Sequence, residues 1–145
     1  MSRQIVKRSR ATSLSAARGQ ALVEAALVLP LMLVLVLGVF AAGVVGRTDA
    51  ALLAVAQEAA RAAATASNSG DAAAHGVARG AQVADGYRLQ DAIVTVDARD
   101  FRPGGEVRAD ATVTVSLATI PIFGTTAIRL HHQHAEPVDP FRNLR

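Results

Sequence analysis

The sequence predicts an α+β protein with an N-terminal transmembrane helix, one or two alanine-rich helices, and then a small antiparallel sheet of three strands. Three observations predict this class. Residues 25–46 form a run of 22 uncharged, mostly apolar residues, which is long enough to span a bilayer as a helix. An alanine-rich stretch with helical spacing follows the run. After residue 91, apolar residues alternate with polar ones, as they do in half-buried strands.

The positive charge of the chain lies before the uncharged run. The net charge of the 145 residues is +3, but residues 1–19 contain five basic residues and no acidic one (Arg3, Lys7, Arg8, Arg10 and Arg18). From residue 20 onward ten Lys or Arg are scattered among twelve Asp or Glu, so we expect no nucleic-acid partner. The absence of cysteine excludes disulfides and every cysteine-based metal or catalytic site.

The uncharged run is predicted to cross the membrane. At about 1.5 Å per residue it spans roughly 33 Å, which matches the hydrocarbon core of a bilayer. Basic residues are in excess before it, so the N-terminus is expected in the cytoplasm and the chain from Arg47 onward outside it. Pro30 lies in the second turn, where it should bend the helix. The competing interpretation is a cleavable secretory signal, but the run exceeds the usual length of about 7–15 apolar residues.

Two helices are predicted after the membrane run. Residues 48–70 read TDAALLAVAQEAARAAATASNSG, in which Thr48 or Asp49 can cap the helix start and SNSG ends the helix. Residues 71–86 form a poorer helix because two glycines interrupt it (Gly76 and Gly80).

One face of the first of these helices is small and apolar. Its members are spaced by three or four residues: Leu52, Val55, Ala59 and Ala62. Such a face suits close packing against the sheet of the same chain or against another subunit, and the sequence leaves both open. Glu58 and Arg61 are expected to pair on the surface of this helix.

Three strands follow. The first candidate is AIVTVDA, residues 92–98, and RDFRPGGE, residues 99–106, is a turn. The second strand is the clearest, because six apolar residues alternate with polar ones: Val107, Ala109, Ala111, Val113, Val115 and Leu117. Pro121 and Gly124 then break the chain, and the third strand, residues 126–135, turns Ile128 and Leu130 inward. We expect a meander with one face against the alanine-rich helix.

The histidines of the third strand are the one cluster that suggests a metal. His132 and His134 would point to the same side of a strand, and Glu136 has the same parity. A closed set of ligands is missing, so polar residues on a solvated strand face are the favoured interpretation, and no cofactor is expected. No paired catalytic residues or phosphate loop occur in a motif context, so the sequence does not predict an enzyme.

Gly19 and Glu24 mark the boundary between the basic leader and the membrane run. The stretch RGQALVEAALVLPLMLVLVLG, residues 18–38, has the pattern Gly-x-x-x-x-Glu followed by an apolar run with an early Leu-Pro. In this pattern it resembles the class III prepilin leaders of type IV pilin-like proteins. More narrowly, it resembles the start of TadE-like proteins, the minor pilins or pseudopilins of Tad (Flp) pilus systems.

The resemblance implies cleavage after Gly19 by a prepilin peptidase, which would leave Gln20 as the new N-terminus. It further implies that Glu24, the fifth residue of the mature chain, pairs with the N-terminal ammonium of a neighbouring subunit, because a lone carboxylate there is costly. The alternative role for Glu24 is a favourable negative charge at a helix start in the headgroup zone. Ala25 stands where major Flp pilins usually carry an aromatic residue, which favours a minor component.

These features together predict a domain order and a function. The expected parts are a cleaved cytoplasmic leader, 1–19, a transmembrane helix, 20–46, an extracytoplasmic α+β domain, 47–136, and a flexible tail, 137–145. The resemblance implies a pilin-like fold, a place in the bacterial inner membrane, a contribution to pilus assembly, adherence or secretion, and partners among pilin-like subunits and Tad assembly proteins. The second hypothesis is a signal-anchored binding module of the cell envelope that is not processed.

Overall fold

A computed structural model describes residues 5–141, and side chains from residue 20 onward. The elements are two helices and three strands: α1 (Ile5–Ala64), α2 (Ser69–Gly86), β1 (Ile93–Asp97), β2 (Glu106–Ser116) and β3 (Ala127–Pro137). This order confirms the predicted α+β class. The chain divides into two compact units, Met1–Phe40 and Ala41–Arg145. Of the predicted leader, residues 1–4 lie outside the described residues.

The apolar side chains in the N-terminal part of α1 are exposed. Every residue from 20 to 36 is exposed, and the exposed fraction of Leu22 is 72%. The most apolar segment has a mean hydropathy of 2.8 and only 6% of it is buried, so it is not the core helix of this domain. By length and composition the helix can cross a membrane. An apolar surface of this size requires lipid or other subunits to cover it.

Helix α1 continues without a break from the apolar run into the alanine-rich stretch, so the predicted helix start at Thr48 or Asp49 is wrong. The Thr48 hydroxyl instead donates a hydrogen bond to the carbonyl oxygen of Val44, 3.0 Å away. The Asp49 carboxylate lies 2.8 Å from Nε2 of His132 on β3. A residue that can cap a helix does so only where the preceding chain leaves the helical conformation, and here it does not.

The alanine-rich part of α1 forms the helical side of the core. Its completely buried residues recur at spacings of one, three or four: Leu52, Val55, Ala56, Ala59, Ala60 and Ala63. Ala62, which the sequence predicted on this face, is only half-buried because the stripe continues through Ala63. Ala59 packs in a cluster with Ala109 of β2, so the face packs on the sheet of the same chain.

Helix α2 begins at a capped end and is tied to α1 by an ion pair. Asn68 is the N-cap, and its side-chain oxygen accepts a hydrogen bond from the backbone N–H of Asp71 at 2.9 Å. The guanidinium of Arg79 lies 3.0 Å from the carboxylate of Glu58 on α1. The predicted surface pair between Glu58 and Arg61 is therefore wrong, because the partner comes from the neighbouring helix.

Gly76 and Gly80 do not interrupt α2 but lie where it touches its neighbours. Both are buried. A Cβ atom on Gly76 would lie 2.8 Å from the carbonyl oxygen of Ala59, and one on Gly80 would lie 2.8 Å from Cγ1 of Val94. The two glycines thus allow α2 to approach α1 and β1 at a distance that any side chain would prevent.

The three strands form an antiparallel meander in the order β1-β2-β3, as predicted. The register places Ile93 opposite Thr112 and Ala109 opposite His134. The inward residues predicted for the second strand are all buried: Val107, Ala109, Ala111, Val113, Val115 and Leu117. Because strand side chains alternate between faces, this one row supplies the sheet's half of the core.

The residue that directly follows β3 packs into the core of the domain. Val138 is completely buried. Its N–H donates a hydrogen bond to the carbonyl oxygen of Gly105 at 2.9 Å, and its own carbonyl oxygen accepts one from the N–H of Gly104 at 3.1 Å. Pro137 and Val138, the start of the expected flexible tail, are therefore part of the folded domain. Residues 142–145 lie outside the described residues.

Candidate processing and assembly site

Gly19, Gln20 and Glu24 lie on one stretch of α1. The helix runs from Ile5 to Ala64, so all three residues lie within it. Residues four apart lie above one another on a helix. Accordingly, the amide nitrogen Nε2 of Gln20 donates a hydrogen bond to Oε1 of Glu24 at 3.1 Å. The structure therefore brings two of the three predicted residues into direct contact.

Glu24 is an exposed carboxylate at the edge of an apolar surface. Leu22 and Leu27, two and three residues away, have exposed fractions of 72% and 71%. Among the residues whose side chains are described, Glu24 makes no ion pair, and its hydrogen bond comes from the uncharged Gln20. A carboxylate in such surroundings is costly unless a cation pairs with it. Glu24 can therefore accept a cation from outside this part of the chain.

The histidines of β3 are divided between the two faces of the sheet. His131 is exposed, whereas His132 and His134 lie on the half-buried face together with Ile128 and Leu130. The expected solvated face is therefore wrong for His132 and His134, whose side chains are 27% and 33% exposed. Their parity with Ile128 and Leu130 was the signal in the sequence that could have placed them there.

Each histidine faces its own carboxylate, so the cluster is not a shared site. The Nε2-to-oxygen distances are 3.0 Å from His131 to Asp110, 2.8 Å from His132 to Asp49, and 3.3 Å from His134 to Glu136. Within the described part of the chain, no group of three or more His, Cys, Asp or Glu could hold a metal ion. The contact between His132 and Asp49 joins β3 to α1 across 83 residues, and sequence reasoning missed it.

Comparison with known families bears on α1. Residues 19–61 match the family model of the TadE-like proteins. The resemblance to the TadE-like family is confirmed. The match begins at Gly19 and ends within α1, so α2 and the sheet lie outside it. Comparisons with curated proteins and with solved structures give no match.

The TadE-like segment is similar to a family of structural proteins that are associated with Tad pili. Together with the exposed apolar part of α1, it indicates a membrane-anchored protein. The segment also contains Pro30, which lies inside α1 with helix on both sides.

Outside the TadE-like segment, charged residues surround the turn between β1 and β2. The side chain and the backbone N–H of Arg99 both donate hydrogen bonds to the carboxylate of Asp97, and they lower the pKa of Asp97 to about 2. Two more arginines are paired in the same way, Arg102 with Asp100 and Arg108 with Glu106. Each of these cations has a neighbouring carboxylate, so the turn has little net charge with which to attract a charged partner.

Proposed function

We propose that this chain is a TadE-like minor pilin or pseudopilin that a prepilin peptidase cleaves after Gly19 and that contributes to Tad (Flp) pilus assembly, adherence or secretion. The observation that carries the proposal is the position of Gly19 and Glu24 at the start of an exposed apolar helix, where the match to the TadE-like family also begins. The chain acts through assembly and not as an enzyme. Its partners are the membrane, the prepilin peptidase and other subunits of the pilus system.

The residue types suit cleavage between Gly19 and Gln20. A peptidase cleaves an extended backbone, so α1 must unwind locally at the scissile bond. Glycine is among the poorest helix formers, by about 1 kcal/mol relative to alanine, and this lowers the cost of unwinding. It also presents no side chain that would obstruct the cleft.

Cleavage would create the cation that Glu24 lacks. The new ammonium group would be on Gln20, one helical turn from the carboxylate of Glu24. Both groups are at the helix surface, where the ammonium of one subunit can approach the carboxylate of the next. In surroundings of low dielectric constant such a pair is far stronger than in water, so subunits would pack stably only in register.

The cleavage step is tested by the mass and N-terminal sequence of protein recovered from membranes, with and without a prepilin peptidase. We expect the chain to begin at Gln20 only when the peptidase is present. Gly19→Leu should leave the full-length precursor in the membrane. Gly43→Leu is the matched control, because a Cβ at Gly43 meets no atom within 4 Å and cleavage there is not expected. A chain that begins at Met1 under both conditions would contradict the proposal and favour an unprocessed, signal-anchored binding module.

The assembly step is tested by Glu24→Gln, which keeps the shape of the side chain and removes its charge. We expect normal cleavage but a severalfold loss of the mature protein from the assembled pilus fraction. Glu58→Gln is the control, because Glu58 is a surface carboxylate of the same helix that is already paired with Arg79. If Glu24→Gln and the parent protein enter the pilus fraction equally, Glu24 serves only as a charge near the helix start.

The orientation in the membrane is part of the same proposal. The basic leader stays in the cytoplasm, and the domain that follows Arg47 lies outside it. The chain contains no cysteine, so Val77→Cys introduces a single thiol on α2. A maleimide that cannot cross the inner membrane should label this thiol in cells whose outer barrier is permeabilised. Labelling only after the inner membrane is broken would show that the domain lies in the cytoplasm, the opposite of the proposed orientation.

A further inference from the structure

The sheet runs along α1 in a direction that can be read from its contacts. Val107, near the start of β2, lies in a core cluster with Ala63 at the end of α1. Ala109, two residues further along β2, lies in a cluster with Ala59. As β2 advances, its contacts therefore move back along α1, toward the uncharged run.

The contact between β3 and α1 continues this trend. His132 of β3 pairs with Ala111 of β2, the next inward residue, and its side chain reaches Asp49. Asp49 is only three residues beyond Gly46, the end of the uncharged run. The far end of β2 thus points toward the level at which α1 leaves the hydrocarbon core.

Distances along the two elements show how far β2 reaches. From Ala109 to Leu117 the chain advances by about 26 Å at roughly 3.3 Å per residue. From Ala59 back to Gly46, α1 covers only about 20 Å at roughly 1.5 Å per residue. Leu117, directly after β2, therefore reaches the level of Gly46 even if strand and helix are inclined by about 40°. Ala41 of α1 is only 5% exposed, as expected if this end of the domain covers it.

The connection between β2 and β3, residues 117–126, is apolar and carries no charge. Pro121 and Ile122 are exposed, and the exposed fraction of Ile122 is 60%. Ile122 has a φ of +83°, which is unusual for a β-branched residue and shows that the turn holds it in a strained conformation. The charged residues nearest in sequence are Asp110 and Arg129, so 18 consecutive residues are uncharged.

Several backbone N–H groups of this connection form hydrogen bonds within it. The N–H groups of Ile120, Phe123 and Thr126 donate to the carbonyl oxygens of Leu117, Ile120 and Phe123 respectively, at 2.9, 3.3 and 3.0 Å. Internal hydrogen bonds of this kind lower the cost of moving a loop out of water. The apolar side chains of the connection can therefore leave water without leaving these N–H groups unpaired.

The loop after α2 lies at the same level. Tyr87 and Leu89 line one cleft with Val44 and Arg47 of α1. Tyr87 is 55% exposed, and tyrosine is enriched where hydrocarbon meets headgroups. Arg47 is exposed, and its side chain has no carboxylate partner among the described residues, in contrast to the paired arginines of the β1–β2 turn.

We infer that the connection between β2 and β3, residues 117–126, inserts into the headgroup region of the bilayer that α1 spans, with Ile122 as its deepest exposed side chain. The partner is the lipid surface itself, because the connection lies at the level of Gly46, where the uncharged run ends, and has no charge with which to bind a polar partner. The inference rests on the proposed membrane span of α1. It assigns a second membrane contact to the domain beside its helix.

Full-length protein in vesicles of phosphatidylethanolamine and phosphatidylglycerol tests this contact. Because the chain lacks cysteine, Ile122→Cys gives one labelling site for an environment-sensitive fluorophore. Phe123→Cys is a second variant in case the first does not fold. Val77→Cys is the control, because Val77 is an exposed apolar residue of α2 beside Gly76, which contacts Ala59 far from the membrane run. Val34→Cys reports on the membrane span itself.

The readout is quenching by lipids that carry a nitroxide near the headgroup. We expect quenching at residue 122 to be severalfold stronger than at residue 77, together with a blue-shifted emission. Equal quenching at the two positions would overturn the inference. A blue shift without quenching would also overturn it, since a second protein then covers the loop. If deep nitroxide lipids quench at residue 34 while residue 122 stays unquenched, the membrane span holds and only this inference fails. If residue 34 is not quenched, the proposed membrane span and this inference both fail.

Discussion

Replacement of Gly76 by alanine tests whether close approach of α2 determines the stability of the domain. The added Cβ would lie 2.8 Å from the carbonyl oxygen of Ala59, 2.9 Å from Cβ of Ala63 and 2.9 Å from Cγ2 of Val96. The first two atoms belong to the backbone and to a methyl group of α1, and neither can rotate away. The helices must separate if alanine is to fit.

Two opposing terms set the size of the effect. Alanine is a better helix former than glycine by about 1 kcal/mol, which favours the variant. Overpacking of a close interface costs about 1–3 kcal/mol, and rigid neighbours place this site at the upper end of that range. We therefore expect Gly76→Ala to lower the free energy of unfolding by about 1–2 kcal/mol.

Urea unfolding of the full-length protein in mild detergent measures this difference. Tyr87 is the only tyrosine of a chain without tryptophan, so its fluorescence reports on the end of α2. Gly86→Ala is the control, since a Cβ there meets no atom within 4 Å. Gly80→Ala should lie between the two, because its closest neighbour is a methyl of the Val94 side chain, which can move. Gly76→Ala with a midpoint equal to or above that of Gly86→Ala would refute the argument from close packing.

Three further predictions concern other parts of the domain. The carboxyl of Asp97 should titrate near pH 2 by NMR, so its stabilising effect is present above about pH 4 and lost as the pH falls toward 2. Arg99→Gln should raise the pKa of Asp97 toward its usual value. An unchanged pKa would contradict the assigned cause. Val138→Ala should lower the free energy of unfolding by about 2 kcal/mol because two buried methyl groups are lost. Phe141→Ala, at a residue that is 92% exposed, should leave the free energy of unfolding unchanged. Equal effects of the two substitutions would argue against an anchored tail. Asn68→Ala should cost about 1 kcal/mol by loss of the N-cap of α2, and a wild-type urea midpoint would show that the cap contributes nothing.

The elements that the sequence predicted well are those with one dominant period. Buried residues, from Val107 to Val115, occupy every second position of β2 without exception, because one face of the strand packs on the core and the other faces solvent. The apolar helix was equally clear from its length. The TadE-like resemblance rested on Gly19 and Glu24, and the family match begins at the first of them.

The elements that the sequence predicted poorly depend on neighbours distant along the chain. Thr48 and Asp49 have the residue types of a helix cap, but the helix before them never ends. Glu58 has a possible partner one turn away, yet α2 brings Arg79 to it. Val138 lies in a stretch rich in polar residues and prolines, and its burial depends on a turn more than thirty residues earlier. None of these contacts leaves a periodic signal.

Strand β3 forms one edge of the sheet, and its composition has a consequence for aggregation. An edge strand of 11 residues presents a row of backbone N–H and C=O groups to which a second chain could add. Among the side chains of β3, Arg129, His131 and Gln133 are exposed and polar, and Pro137 closes the strand. Charged side chains and a proline on an edge strand disfavour the addition of a second chain. The polar strand can therefore keep neighbouring domains apart while their helices are concentrated in one membrane.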